Sequence, residues 1–378
     1  MSHISRLAIY DWVVPAVDDR ILKYAIIGSG MMGLEHIRNL IEIPNTQIVG
    51  VCDPHTPSLE QARRALNRVE GVRYFTDFRD LLTNTLADVV VIATPNNTHV
   101  EIATEVMRAG KHLLIEKPLC TSVTDCQTLI SLQTSHGLAN QVVWVGLEYR
   151  YMAPTARVLL EIEKGTIGSV KMISIREHRY PFLEKVNDWN RFNINTGGTL
   201  VEKCCHFFDL MCLIAKSRPV SVMASGSQDV NHLDEKYDGN IPDILDNAYV
   251  IVNFENGVRG LLDLCMFAEA SKNEQEISIV GDKGKIEAMI SESVVRVGKR
   301  KDGYGSYQEV PIEIDQNIVK GYHHGASYTE HMQFQSAVRD GREADVGLQD
   351  GLWSVAIGQA AHISIDEMRL VHVSEVML

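Results

Sequence analysis

The run Gly28-Ser29-Gly30-Met31-Met32-Gly33 follows the apolar strand KYAII and opens a helical stretch. That order limits the fold more than any other feature of the chain. The first glycine of a GxGxxG run permits a tight turn, the second lets a pyrophosphate approach the backbone, and the third lets helix and strand pack closely. The helix N-terminus then presents unpaired N–H groups and a positive dipole end to the phosphates. Asp53 closes the next β-branched run, QIVGVCD, 20 residues past Gly33, where a carboxylate can accept from both ribose hydroxyls. Glycine-rich turns also form without a ligand, and aspartate before proline often only opens a turn. The two features in register favour a dinucleotide site. The following PHTPSL brings no arginine for a ribose phosphate, so NAD is expected rather than NADP.

From Tyr24 to about Gly146, short apolar runs alternate with helical stretches: YAIIG, a helix over 32–43, QIVGVCD, a helix over 58–67, DVVVIAT, a helix over 100–109, HLLIE and QVVWVG. Alternation at that pace calls for parallel strands with crossover helices, an α/β doubly wound sheet. After Tyr149 the pattern changes to a helix over 155–164, a strand VKMISIRE, and strand runs AYVIVNF, VRGLLDL, EISIVG and KIEAMI. Turn signals at FENG and GDKG suggest that these runs form an antiparallel meander. Helices over 328–339 and 349–367 finish the chain and are candidates to pack back on the first domain. The expected division is an N-terminal extension over 1–23, a dinucleotide-binding domain over 24–147, and an α+β domain over 148–378 with a large, mostly antiparallel open sheet.

With 378 residues, two domains of common size are expected. A net charge of −13 offers no positive field for nucleic acid or anionic lipid, and no apolar run approaches the roughly 20 residues a membrane helix needs. Seven cysteines without framework or zinc spacing read as reduced thiols of a cytoplasmic protein. Residues 1–23 lack the basic start and continuous apolar core of a signal peptide.

Thr94-Pro95-Asn96, with His99 beyond, ends one strand, and Glu116-Lys117-Pro118 ends the next. Carboxyl ends of strands are where an open parallel sheet binds ligands. With the glycine fingerprint, the TPN…H strand end and the EKP tripeptide make the sequence similar to the Gfo/Idh/MocA family from Tyr24 to the last helix. That resemblance implies that Lys117 hydrogen-bonds the nicotinamide ribose and the reacting hydroxyl, and that Glu116 lies at the cofactor. On position alone, both charges read as a solvated loop. His99, counted with the cofactor-binding residues, and His112 read as structural rather than catalytic.

TGGTLVEKCCHFFDLM, Thr196 to Met211, is the densest run of chemistry. On one helix, Glu202, His206 and Asp209 stand at i, i+4 and i+7, a polar stripe within about 60° on an otherwise apolar surface. A capping box at Thr199–Glu202 is an alternative for the acid, but it leaves His206 and Lys203 unexplained. Adjacent Cys204 and Cys205 diverge by about 100° and cannot readily clasp one metal ion, so they read as packing and no metal is expected. The family's second signature is a glycine pair followed by an aspartate, a glycine, a histidine and an aspartate. Gly197-Gly198, Glu202, Cys204, His206 and Asp209 resemble it with two departures, glutamate for the first aspartate and cysteine for the glycine.

Oxidising a secondary alcohol requires a proton acceptor, and histidine's reference pKa of about 6.5 suits that step. The expected roles are His206 as general base, Lys117 as stabiliser of alkoxide charge, and Glu202 as the group that orients them. In DWNRFNINTGG, Trp189 offers a stacking face for a sugar ring, and Arg191 and Asn193 offer donors to hydroxyls; the segment also reads as a surface loop. Tyr149 and Arg150 are candidates to reach the cleft, with His178 and His323-His324 weaker ones. Since members of the family mostly act on polyols and sugars, an NAD-dependent dehydrogenase of a cyclic polyol, sugar or glycoside is expected. Its rivals are an NAD-dependent glycosidase or lyase that recycles its cofactor, and a non-enzymatic sugar sensor. A homo-oligomer is expected, because the family's broad second sheet usually builds one.

Overall fold

The computed structural model describes residues 20–135, 141–312, 321 and 323–377. Most of the N-terminal extension expected over 1–23 therefore lies outside the described residues. Six parallel strands build the first sheet: β1 (Leu22–Ile27), β2 (Thr46–Cys52), β3 (Arg73–Phe75), β4 (Val89–Ile92), β5 (His112–Glu116) and β6 (Val143–Gly146), in the order β3-β2-β1-β4-β5-β6. Helices α1 (Met31–Glu42), α2 (Thr56–Ala65), α3 (Phe78–Asn84), α4 (His99–Arg108) and α5 (Val123–Ser135) make the crossovers. Strands β4 and β6 are buried at every position, as a sheet covered on both faces requires. The order reverses between β1 and β4, so the ends of these two strands flank the crevice where such sheets bind ligands.

The second domain opens with α6 (Ala153–Glu163) and β7 (Val170–His178). Three short helices follow: α7 (Asn193–Thr196), α8 (Thr199–Glu202) and α9 (Cys205–Ala215). The second sheet is completed by β8 (Pro219–Ser227), β9 (Asn247–Phe254), β10 (Arg259–Cys265), β11 (Gln275–Gly281), β12 (Gly284–Met289), β13 (Val294–Lys299) and β14 (Gln308–Pro311). The chain ends in α10 (Ala326–Asp340), α11 (Leu348–Glu367) and the edge strand β15 (Val371–His372).

The meander expected over AYVIVNF to KIEAMI is interrupted. Strand β7 lies between β10 and β11, parallel to the first and antiparallel to the second. The tight turns at FENG and GDKG join β9 to β10 and β11 to β12, whereas the longer connection after Cys265 has no such turn, and there the sheet opens to admit β7. One face of the sheet packs inward, with Ala248, Val250 and Val252 buried on β9; the alternate Tyr249 and Ile251 are exposed.

The last helices pack back on the first domain. Trp144 of β6 donates through Nε1 to Glu330 (3.2 Å) and meets Phe334 edge to face. Gly351 of α11 sits so close to Leu119 that a Cβ there would lie 2.8 Å from it. The Val145 N–H donates to the Val346 carbonyl at 3.0 Å, tying the approach to α11 onto β6.

Candidate active site

A cavity of about 810 Å³ runs along the carboxyl ends of the first sheet and under the loop that precedes α7. At one end stand Gly28, Gly30, Met31, Met32 and Asp53; Thr94, Pro95 and Asn96 follow; Glu116, Lys117, Trp189 and Glu202 line the other. Gly28 has φ +91°, and a Cβ there would lie 2.4 Å from the Ala93 carbonyl, so both conformation and space demand glycine. A Cβ at Gly30 would meet no protein atom, so the space before it belongs to the cavity. Residue Gly30 N-caps α1 with no side-chain partner, leaving that helix's first-turn N–H groups for a ligand.

Asp53 is held for its task. One carboxylate oxygen accepts from Ser29 N (2.7 Å) and Ser29 Oγ (3.1 Å), the other from His55 N (2.8 Å). These bonds fix the carboxylate at the cavity wall and leave lone pairs for further donors. The residues therefore fit a dinucleotide, with phosphates at Gly30 and a ribose diol at Asp53. Arg38, on α1, also lines this end and was not foreseen. His99 does not line it. Its ring nitrogens face the Pro118 carbonyl (2.9 Å) and the Thr94 carbonyl (3.2 Å), so it ties the two strand ends together rather than touching the cavity.

Glu116 is anchored from behind. Its Oε1 lies 2.9 Å from His36 Nε2, and His36 Nδ1 lies 2.9 Å from His331 Nε2 on α10. Burial works to raise the Glu116 pKa, but the His36 hydrogen bond and charge, with Lys117 and His323, together outweigh it and hold the carboxyl below 4.5. Lys117 donates to the Glu202 carbonyl at 3.3 Å. Burial opposes its charge, yet the Cys205 sulfur and the Glu202 and Glu116 carboxylates hold its pKa above 10.5. The Glu202 pKa is itself raised, since burial there outweighs Lys117, Lys185 and Arg191. Attraction wins on the lysine and desolvation on the acid.

The single helix expected over Thr199–Met211 is broken between Glu202 and Cys205. The break frees the Glu202 carbonyl for Lys117, and it turns Lys203 toward Glu177 (2.9 Å) and the Tyr149 hydroxyl (2.7 Å). It also separates the expected stripe. Glu202 faces the cavity with Oε2 buried and unbonded, His206 lies against Tyr149, and Asp209 pairs with Arg150. The capping box is absent too: the Thr199 hydroxyl donates to the Leu245 carbonyl (2.7 Å), and Gly198 is the N-cap. The Gly197-Gly198 pair lets α8 approach α11, because a Cβ on Gly198 would lie 2.3 Å from His362 Nε2, the atom that accepts from Leu200 N. Cys204 and Cys205 are buried free thiols.

His206 is almost fully buried and is not among the cavity-lining residues. Its Nδ1 has no hydrogen-bond partner, and burial, reinforced by Lys117 and Lys203, holds its pKa well below 6.5. Several expected substrate contacts are also engaged elsewhere. Arg150 is buried against Asp209 and Asp350 and donates to the Asp345 carbonyl. His178 pairs with Asp263 (3.0 Å), Asn193 bonds to Asp243, and Arg191 reaches Glu235 (3.2 Å). Tyr149 is buried, with Lys203 and Gln275 both on its hydroxyl. Only Trp189 of that set lines the cavity, joined by Glu184, Lys185 and Val186 of the same loop, which sequence reasoning missed. A loop lysine carries no periodic signal, so nothing in the sequence set it apart.

A doubly wound sheet with this glycine turn, aspartate and cavity defines a dinucleotide-binding oxidoreductase. The chain belongs to the Gfo/Idh/MocA oxidoreductase family: residues 22–146 match its NAD-binding Rossmann fold, and 161–373 its C-terminal alpha/beta domain. Similar proteins include a myo-inositol 2-dehydrogenase of Thermotoga maritima, 27% identical across 94% of this chain and 100% of its own. Another is an inositol 2-dehydrogenase of Rhizobium meliloti, 24% identical over 93% and 99%. Among solved structures, a levoglucosan dehydrogenase in complex with NADH superposes with a TM-score of 0.80 at 21% identity, covering 93% of this chain and 99% of that one. The cofactor is NAD.

Proposed function

We propose that this enzyme oxidises a secondary ring hydroxyl of a cyclic polyol, sugar or glycoside. The observation that carries this reading is that Lys117, bonded to the Glu202 main-chain carbonyl, and the Glu202 carboxyl, whose Oε2 is buried and unbonded, both line one end of the dinucleotide cavity. A hydroxylated ring offers donors to the acid and an oxygen to the ammonium, and Trp189 supplies a face for its C–H side. Relatives named as inositol and levoglucosan dehydrogenases support this substrate class.

Bound NAD supplies the hydride acceptor. Lys117 holds the reacting oxygen and stabilises negative charge as its proton leaves. His206 is the proton acceptor: burial keeps its ring neutral, and Nδ1 carries no competing bond. Glu202 orients the ring by accepting from a neighbouring hydroxyl. The test follows nicotinamide reduction across a panel of inositols, sugars and glycosides with the wild type, His206→Ala and Lys117→Met. Near-normal turnover in both variants removes these roles. We also propose a homo-oligomer formed through the exposed face of the second sheet, where Met223, Ile251 and Leu261 stand side by side in register.

A further inference from the structure

Glu148 is a buried carboxylate whose two oxygens make no hydrogen bond. Such a group costs stability unless something else requires it. It sits just past β6 on a short 3-10 turn, Glu148–Tyr151, between two histidines. His206 Nε2 lies 3.8 Å from its Oε1, and His323 Nδ1 lies 3.2 Å from the same oxygen, off the angle of a hydrogen bond. His206 is 1% exposed and His323 17%, so the three groups lead from the buried base toward solvent. His323 Nδ1 also stands 3.9 Å from Glu35 Oε1, which accepts from Ser327 Oγ at 2.8 Å.

We propose that Glu148 and His323 form an exit path that carries the proton released by alcohol oxidation from His206 to solvent. This rests on His206 being the proton acceptor. The substrate O–H bond breaks and its proton goes to His206 Nδ1, while two electrons leave with the carbon-bound hydrogen to the oxidised dinucleotide. The proton on Nε2 then passes to Glu148 and on to His323 Nδ1, and His323 releases one from its other nitrogen. Ketone, reduced dinucleotide and one free proton balance the alcohol and oxidised dinucleotide. Relay contacts longer than a hydrogen bond commonly tighten when ligands bind.

Burial lifts the Glu148 carboxyl above its ordinary range against the pull of His323 and Lys117, with the Glu116 charge adding to the rise. For His323, burial is outweighed by Glu148 and Glu35, with Lys203 opposing, so its pKa is raised.

Two measurements test the path. In ligand-free protein, NMR titration of the imidazole signals should show the His323 pKa falling in Glu148→Gln, because the carboxylate that raises it is gone; an unchanged titration overturns the proposal. In a single turnover, followed in weakly buffered solution with a pH-indicator dye, wild-type NADH formation and proton release should keep pace. In Glu148→Gln, release should lag NADH on the order of tenfold, and imidazole buffer should remove the lag. His323→Asn should show the same lag. If both rates fall together in these variants, the residues are only structural and the path is wrong. A wild type that forms no NADH with any polyol or sugar overturns the path together with the functional reading, and that outcome is distinct from a wild type that works beside a variant without a lag.

Discussion

The rings of Tyr149 and His206 lie flat on one another, with centroids 3.8 Å apart and planes within 5°. Burial beneath that ring, reinforced by Lys117 and Lys203, disfavours an imidazolium, so the base form persists below the usual histidine range. Oxidation requires that neutral form. The acid limb of the kcat/KM profile should therefore lie below pH 6.5, with activity rising through it and level at neutrality. Tyr149→Leu admits solvent to the ring and should move the limb upward. A wild-type limb at or above 6.5 would count against His206 as the titrating base.

Arg150 and Asp209 form a buried ion pair that Asp350 extends. Removing one member leaves a charge without its partner, which typically costs about 3–5 kcal/mol. Arg150→Met should lower the denaturation free energy by that order and leave NADH affinity close to wild type. A loss of substrate affinity with stability intact would instead return Arg150 to the cleft.

Two neighbouring glycines should respond in opposite ways. Gly30→Ala fits the protein but enters the cavity, so NADH affinity should fall, by tenfold or so for about 1.4 kcal/mol lost, while the melting temperature holds. Gly28→Ala meets the Ala93 carbonyl at positive φ and should destabilise the fold itself. Fluorescence titration and thermal melts of the two variants separate the effects.

Glu202→Asp withdraws the carboxylate from the cavity by about one methylene and should change the ranking of substrates while NADH affinity stays fixed. Cys204 does not line the cavity and has φ −83°, ordinary for any residue. Cys204→Gly should therefore act through stability, since it removes a fully buried side chain from the core. An unchanged substrate ranking in Glu202→Asp would make the longer acid incidental.

Tyr249 and Ile251 are 62% and 44% exposed on the open face of the second sheet. Changing both to glutamate leaves the buried face untouched and should reduce the mass measured by light scattering to that of one chain. An unaltered mass would place any interface elsewhere.

The first sheet was legible because its signals are local: β-branched runs, a glycine turn, an acid at a fixed offset. β3 and α3 escaped notice because three residues, RYF, and about two helical turns, FRDLLTN, are too short for a periodicity to show. The seating of β7 between β10 and β11 depends on partners far apart in sequence, which no local pattern reports. Glu202 and Trp189 could be nominated by residue type and position and Lys117 only through the family resemblance, and all three line the cavity. The break after Glu202 could not be foreseen, since its consequences lie in tertiary contacts, Lys203 to Glu177 and Lys117 to the Glu202 carbonyl. Glu148 gave no signal at all. A carboxylate reads as surface until its neighbours are seen to bury it.

The packing of α10 and α11 on the first domain also bears on synthesis. Trp144, Leu119 and His36 are covered by Phe334, Gly351 and His331, residues made 190 to 295 positions later. The nucleotide-binding half therefore leaves the ribosome with part of its core uncovered and waits for the end of the chain to complete it. An isolated fragment ending near residue 147 should be sticky and poorly cooperative, and the full chain should melt in one transition rather than two.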